Sequence, residues 1–374
     1  MANKHSHYAL LEHYLSDVSG CEWALATVVN KEGSSYRSPG SIMMVNSLGQ
    51  SFGLVSGGCL EADIVRRAKQ VFYSANATYA EYDLREEDSF AAELGIGCKG
   101  KIGVLIQRLT EKHRVVLDVL YATLKAGGSC YLLQEFEAPM TSSGLNEIIL
   151  LDSHGEQLAS TVDQGKDQDQ AEIIKGAEYI DQHQTFYAGD SRYSLSRIDA
   201  AFNFWIFGGG ADAEPLASMA SQLGWRVTVV DHRTAYARAS AFKSAETIVK
   251  TRPEELDCAE GRPPIDGAML MTHNLKLDAQ WLAFLHKHSN PIYVGLLGPV
   301  ERRERVLELC DVSDLDWLDN HVNGPVGLDL GGELPESIAL SILAQCHAVL
   351  FGGSGEILNK RSYIRVKNSR LVIE

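Results

Sequence analysis

The sequence predicts an α/β protein, with an N-terminal mixed α+β domain followed by a Rossmann-like, doubly wound parallel-sheet domain. Three observations carry that expectation. From residue 202 onward, short apolar runs alternate with amphipathic helical stretches, the order that builds a parallel sheet. The first of those strands runs into Gly208-Gly209-Gly210-Ala211-Asp212-Ala213, a G-x-G-x-x-A turn, and Asp231 follows Gly208 by 23 residues at the end of the next strand. Before residue 200, strand-like runs dominate and are punctuated by hairpin and glycine signals. A chain of 374 residues is also too long for one ordinary core. We therefore divide it at 1–199 and 200–352, with a C-terminal tail, 353–374, long enough to pack back on the first domain.

Within the first domain, Leu10, Leu11, Tyr14, Leu15 and Val18 share one helical face over residues 7–18. Trp23–Val29 reads as a buried strand. Ser41–Val45 and Ser51–Val55 flank Asn46-Ser47-Leu48-Gly49, a hairpin signature. Leu60, Ile64, Val65, Ala68, Val71 and Phe72 then fit an amphipathic helix. The glycine-rich LGIGCKG precedes a strand, and a helix near 111–126 stops at Gly127-Gly128. Residues 131–200 read as a β-rich continuation containing a polar loop, TVDQGKDQDQAE. In the second domain, strands are expected at 202–207, 226–230, 246–249, 267–271 and 291–297. Helices are expected at 214–223, 277–287 and 299–310, with a last one at 335–350 that opens on Pro335 and ends at Gly352-Gly353.

Bulk properties exclude several partner classes. A net charge of −15 argues against nucleic acid or an anionic membrane surface, since both need a positive face. No apolar stretch reaches the length of a membrane span, and the N-terminus lacks a signal-peptide pattern. Seven dispersed cysteines, at 21, 59, 98, 130, 258, 310 and 346, suit reduced thiols in the cytoplasm. No CxxC or HxxxH spacing proposes a metal site.

The chemistry-bearing motifs fall in two places. In the second domain, Gly208 allows a tight turn, Gly210 allows close approach of a pyrophosphate, and Asp231 stands where an acid meets a ribose hydroxyl. NAD or another nucleotide is the implied cofactor, and Asp231 is expected to repel the 2′-phosphate of NADP. His273 lies at a later strand end, and Arg302, Arg303 and Arg305 open the following helix. The Glu301–Arg305 spacing fits a solvated face. In the first domain, VSGGCLEAD places Cys59 behind Gly57 and Gly58 and at a helix start. There the dipole favours thiolate, and the glycines leave room above the sulfur. Ser56 and Glu61 flank it. Cys98, in GIGCKG, has similar room. GSSYRSPGS gathers Ser34, Ser35, Arg37 and Ser38, offering hydroxyls, amides and a cation to an anion. Each cysteine also reads as a small buried hydrophobe.

Taken together, these residues resemble the xanthine dehydrogenase accessory family (XdhC/CoxI type). The resemblance is carried by GSSYRSPGSIMMV, GLVSGGCLEADI, LGIGCKG, FGGGADAEPLA with VVDHR, VGLLGPVERRERV and GLDLGGELPESIALSILAQ, over about residues 20–110 and 200–346. It implies a cofactor chaperone more than a turnover enzyme. Such a factor binds molybdenum cofactor as cargo, supports its sulfuration by a cysteine desulfurase and inserts it into a molybdenum hydroxylase client. A homodimer is part of that expectation. Cys59 is then the reactive residue, with Arg37, Ser56, Gly57, Gly58, Glu61, Cys98, Gly208, Gly210 and Asp231 binding cofactor. The sequence departs from the family pattern at Lys99-Gly100, Ala211-Asp212 and Pro299. The competing readings are an NAD-dependent oxidoreductase with His273 as its proton-transfer group, a cysteine hydrolase needing a histidine such as His113, and a non-catalytic assembly scaffold.

Overall fold

A computed structural model describes residues 5–83, 85, 100–137, 146–162, 183–256, 263–358, 366–367 and 370–371. The chain separates into two compact units. One comprises Met1–Asn203, Gln222–Arg226 and Ala259–Pro264; the other comprises Phe204–Ser221, Val227–Cys258 and Ile265–Glu374.

The first unit opens with α1 (His7–Leu15), capped by Ser6, whose hydroxyl accepts from the Ala9 N–H. Leu10, Leu11 and Tyr14 are buried as the apolar stripe requires, but Val18 is 98% exposed. The helix stops before Val18 because local side chains compete for the backbone. Ser16 donates to the His13 carbonyl, and Asp17 accepts from the Ser19 N–H and the Trp23 indole. Strands β1 (Trp23–Gly33), β2 (Ile42–Asn46) and β3 (Ser51–Gly53) follow, then α2 (Glu61–Ser74), β4 (Thr78–Asp83) and β5 (Gly100–Arg108). They form an antiparallel sheet of order β3-β2-β1-β5-β4. The predicted hairpin joins β2 and β3, pairing Val45 with Ser51.

Strand β1 is buried on both faces, and each face has its own cover. Ala24, Ala26 and Val28 join Ile64, Ala68 and Val71 of α2 in one core. Trp23 and Leu25 join α1 and α3 (Glu111–Lys125) in another, which also takes Leu132, Leu150 and Ile198 from the next sheet. Each fully buried Leu or Val contributes roughly 1.5–3 kcal/mol of transfer free energy. That next sheet is the β-rich continuation: β6 (Cys130–Glu137), β7 (Ile148–Leu151), β8 (Gln157–Ser160), β9 (His183–Ala188) and β10 (Ser191–Ile198), ordered β8-β7-β6-β10-β9. The polar loop expected after Thr161 lies largely outside the described residues.

The second unit holds β11 (Asn203–Phe207), α4 (Ala213–Gln222), β12 (Arg226–Val230), β13 (Thr247–Val249), β14 (Gly267–Leu270), α5 (Leu275–His288), β15 (Tyr293–Leu296), α6 (Val300–Leu309), α7 (Leu315–His321), β16 (Val322–Asn323) and α8 (Pro335–Phe351). The sheet runs β13-β12-β11-β14-β15-β16, and the paired strands are parallel. The order reverses direction between β11 and β14, so the topological switch point of a Rossmann sheet lies there. Leu277, Trp281, Leu282 and Leu285 of α5 pack with Phe207, Leu270 and Val294 of the sheet. Helix α8 begins on Pro335 and ends at Gly352, whose φ of 66° is the left-handed stop. Of the tail, a short antiparallel ladder pairs β17 (Val366–Lys367) with β18 (Arg370–Leu371). No helix among the described residues is long and apolar enough to cross a membrane.

Candidate functional site

The SGGC turn leads from β3 into α2, and two side chains set its shape. Glu61, the first residue of α2, folds its carboxylate back over the turn. Its Oε1 accepts from the Ser56 N–H at 2.9 Å and the Val55 N–H at 3.3 Å. Its Oε2 accepts from the Leu60 N–H at 3.1 Å and the Ser56 hydroxyl at 2.5 Å. The Ser56 oxygen in turn accepts from the Gly58 and Leu60 N–H groups, both at 3.2 Å, and from the Cys59 thiol at 3.4 Å. The N-cap residue Leu60 brings no acceptor of its own, so Ser56 and Glu61 satisfy amides the helix start leaves open. A carboxylate there also meets the positive end of the helix dipole. At the level of sequence Glu61 could serve either a ligand or the helix start. The geometry engages both of its oxygens in the turn.

Cys59 is half-buried and packs against the α2 core, with its sulfur beside the Ser56 hydroxyl. The two glycines before it differ in kind. Gly58 has φ +109°, a conformation an L side chain adopts only with strain, and a side chain added there would enter open space. A Cβ on Gly57 would touch the Tyr36 ring at 3.7 Å. Tyr36 is 68% exposed, so it lies over Gly57 with much of its surface free.

That contact brings in the GSSYRSPG loop. The Ser35 hydroxyl donates to the Arg37 carbonyl at 2.6 Å, and the Gly40 N–H donates to the Val28 carbonyl at 2.8 Å. His7 Nε2 donates to the Gly40 carbonyl at 2.8 Å, and burial together with nearby Arg37 pushes the His7 pKa down. The Nε of Arg37 is buried and makes no hydrogen bond among the described residues. An orphaned donor of this kind costs about 1–3 kcal/mol, so it is a standing invitation to an acceptor. The third motif reaches the same loop from its far end. Gly100 opens β5 opposite Gly33, and a Cβ there would collide with the Ser34 carbonyl. Cys98 itself lies outside the described residues.

One turn into α2, Asp63 was not singled out by sequence reasoning. Burial opposes its ionisation, yet hydrogen bonds from Arg67, Arg66 and Tyr82 hold its carboxyl at about 2. The D-x-x-R-R spacing was its visible signal. His113, the candidate base for a cysteine hydrolase, is buried at the start of α3. Its Nδ1 accepts from the Thr110 N–H and its Nε2 donates to the Asn146 carbonyl, so both ring nitrogens serve local structure.

In the second unit, Gly208, Gly210 and Asp231 meet at the carboxyl ends of β11 and β12. Gly208 has φ +121°, and its N–H donates to the Val230 carbonyl at 2.8 Å. Asp231 is buried and accepts from the Gly209 N–H at 2.9 Å. It also takes three donors from Arg233: the N–H at 2.8 Å, Nε at 2.9 Å and Nη2 at 2.7 Å. The Arg233 guanidinium stacks on Tyr236 at 3.8 Å. Across the switch point, His273 holds a left-handed backbone (φ +59°), and its Nε2 meets Asp212 Oδ2 at 3.0 Å. Arg302, expected on a solvated face, instead bonds Asp278 Oδ2 at 2.5 Å, and Asp278 is 0% exposed. Burial pushes the Asp278 pKa up, while Thr272 and Arg302 oppose the shift. Arg303 faces Asp319 at 3.8 Å. Among the described residues, no group of three or more His, Cys, Asp or Glu side chains is arranged to hold a metal ion.

Comparison with known proteins matches both units. The family model described as XdhC and CoxI family matches residues 18–83, and that of the XdhC Rossmann domain matches residues 204–346. A relative from Bacillus subtilis (strain 168), described as one of the probable subunits of xanthine dehydrogenase, is 30% identical over 345 residues, spanning 92% of this chain and 97% of its own. A crystal structure described as a xanthine dehydrogenase from Bacillus halodurans is similar with a TM-score of 0.74 at 29% identity, covering 93% of this chain and 96% of that one.

Proposed function

The chain belongs to the XdhC and CoxI family, and from that premise we propose that it is an accessory factor carrying molybdenum cofactor as cargo. In this reading it holds the cofactor while a cysteine desulfurase supplies sulfur, then inserts it into a xanthine dehydrogenase-type molybdenum hydroxylase. A cytoplasmic homodimer that meets both partners in turn completes the proposal.

The SGGC turn carries the reading. A half-exposed thiol sits behind a glycine opening onto empty space, on a turn whose backbone is already fixed by Ser56 and Glu61. The cargo combines a soft sulfur-ligated metal, a flat pterin and a phosphate. A thiol of Cys59 suits the metal or its sulfur, the exposed face of Tyr36 suits the pterin, and the orphaned Nε–H of Arg37 suits the phosphate. Cys98 is assigned the second thiol on the family resemblance alone. Among the described residues few strong ligands converge, which suits a carrier that must release its load.

The test is co-expression with the molybdenum-cofactor pathway, followed by metal and pterin analysis of the purified chain. Cys59→Ser keeps the side-chain volume and is expected to cost about 1 kcal/mol of stability or less. It should strongly reduce bound molybdenum and activation of a client hydroxylase. A folded Cys59→Ser variant that retains cofactor and activates the client like wild type refutes the assignment.

A further inference from the structure

The fold of the second unit implies a pyridine dinucleotide, and the residues at its glycine turn do not fit one. We propose that this turn is closed to dinucleotides by the chain's own atoms, with the Asp212 carboxylate standing in the pyrophosphate seat.

Three observations lead there. The first concerns the glycines. In a dinucleotide-binding turn, the second glycine of G-x-G-x-x-A lacks a side chain so that pyrophosphate can approach the backbone. Here the space a Cβ would need at Gly210 is taken by Asp212 Oδ1. The space at Gly208 is taken by the Met271 carbonyl, and that at Gly209 by the Tyr236 carbonyl, 2.7 Å from the Cβ position. Each glycine is accounted for by a neighbour within the unit.

The second concerns Asp231. An ionised carboxylate offers about four lone-pair directions. Gly209 N–H, Arg233 N–H, Arg233 Nε–H and Arg233 Nη2–H fill four. No acceptor capacity is left for a ribose diol, and the half-exposed group at this strand end is the Arg233 guanidinium on Tyr236.

The third concerns what keeps Asp212 in place. Its other oxygen, Oδ2, is held by His273 across the switch point, and His273 adopts its left-handed backbone there. A non-glycine residue in that conformation costs about 1 kcal/mol or more and persists only where surrounding contacts impose it. A carboxylate beside Gly210 repels a diphosphate as well as occupying its volume.

The experiment uses the full chain purified without cargo. NADH binding is followed by fluorescence, and ADP and NAD binding by calorimetry, for wild type, Asp212→Ala and Asp212→Asn, with melting curves as the folding control. Wild type is expected to show no saturable binding up to about 1 mM nucleotide, the weak end of ordinary cofactor affinities. Asp212→Ala, which empties the seat, should bind ADP and NADH at least about tenfold more tightly than wild type. Asp212→Asn keeps the volume and the His273 contact and removes only the charge. It should gain less, and it preserves the test if the alanine variant does not fold. Wild-type binding of NADH in the micromolar range overturns the proposal. So does the absence of any gain in both variants.

Discussion

Replacing Glu61 by alanine tests the claim that this residue builds the thiol turn. Both of its oxygens are engaged, but the loss is unequal across the four donors. Leu60 N–H keeps a second acceptor in the Ser56 hydroxyl, and Val55 N–H is the longest contact at 3.3 Å. Ser56 N–H, in a residue 5% exposed, has Glu61 as its acceptor at 2.9 Å. The buried Ser56 amide is therefore orphaned, at about 1–3 kcal/mol, the buried Val55 amide loses a longer and weaker contact, and one favourable charge at a helix N-terminus is lost, at about 0.3–1 kcal/mol. Together they give about 1.3–4 kcal/mol, confined to residues 55–61. The chain has two units, so a single unfolding midpoint is a poor readout. Native-state hydrogen exchange of a peptide spanning this turn is a direct one. Opening should become about 10- to 900-fold more frequent, while peptides from β14 and β15 should be unchanged. Glu61→Asp should fail to rescue, because the shorter side chain cannot reach Val55 and Ser56 from the helix start. Unchanged exchange at the turn in Glu61→Ala refutes the bracing role and returns Glu61 to the pool of ligand contacts.

Two further outcomes follow from the buried charges. Asp63 has a folded pKa of about 2, below its unfolded value, so its contribution is complete above about pH 4 and is lost as pH falls toward 2. The shift corresponds to about 2.5 kcal/mol, reduced to about 1–2 by the solvent around Arg66; acid unfolding of Asp63→Asn should lack this segment of pH dependence. Arg302→Met leaves Asp278 buried without its cation, at a cost of about 3–5 kcal/mol near neutral pH. The Asp278 pKa is already raised by burial, so the variant should recover stability relative to wild type as pH falls and the carboxyl takes up a proton. Denaturant unfolding at two pH values checks this, and an equal deficit at both contradicts it.

The Rossmann unit was legible because its sheet and helices follow from local periodicity and from the handedness of strand–helix–strand connections. The short helix α7 was not, since seven residues carry too little period to read, although Asp314 accepts from the Trp317 N–H as an N-cap should. Strands β8 and β9 were missed for a related reason. They show no clean buried–exposed alternation, with Gln157 and Leu158 exposed and much of His183–Ala188 half-buried. Within the first candidate site, the turn was legible but the hydrogen bonding inside it was not. Spacing brought Ser56, Cys59 and Glu61 to one turn without saying which oxygen faces which amide. Arg302 was misplaced because its partner Asp278 lies on another helix, 24 residues away, and i,i+4 logic sees only its own helix.

Because Ser56 and Glu61 carry the hydrogen bonding of the turn, the side chain of Cys59 carries almost none of it. Architecture and the proposed chemistry are thereby written at separate positions of one short motif. A population of variants should reveal this as two different patterns of tolerance. If the proposed function holds, changes at 56 and 61 will lower the amount of protein that survives in the cell, whereas changes at 59 will leave abundance near normal and remove only the proposed cargo handling. Such a motif can also change its chemistry over evolutionary time by exchanging a single residue, without having to rebuild the loop that presents it.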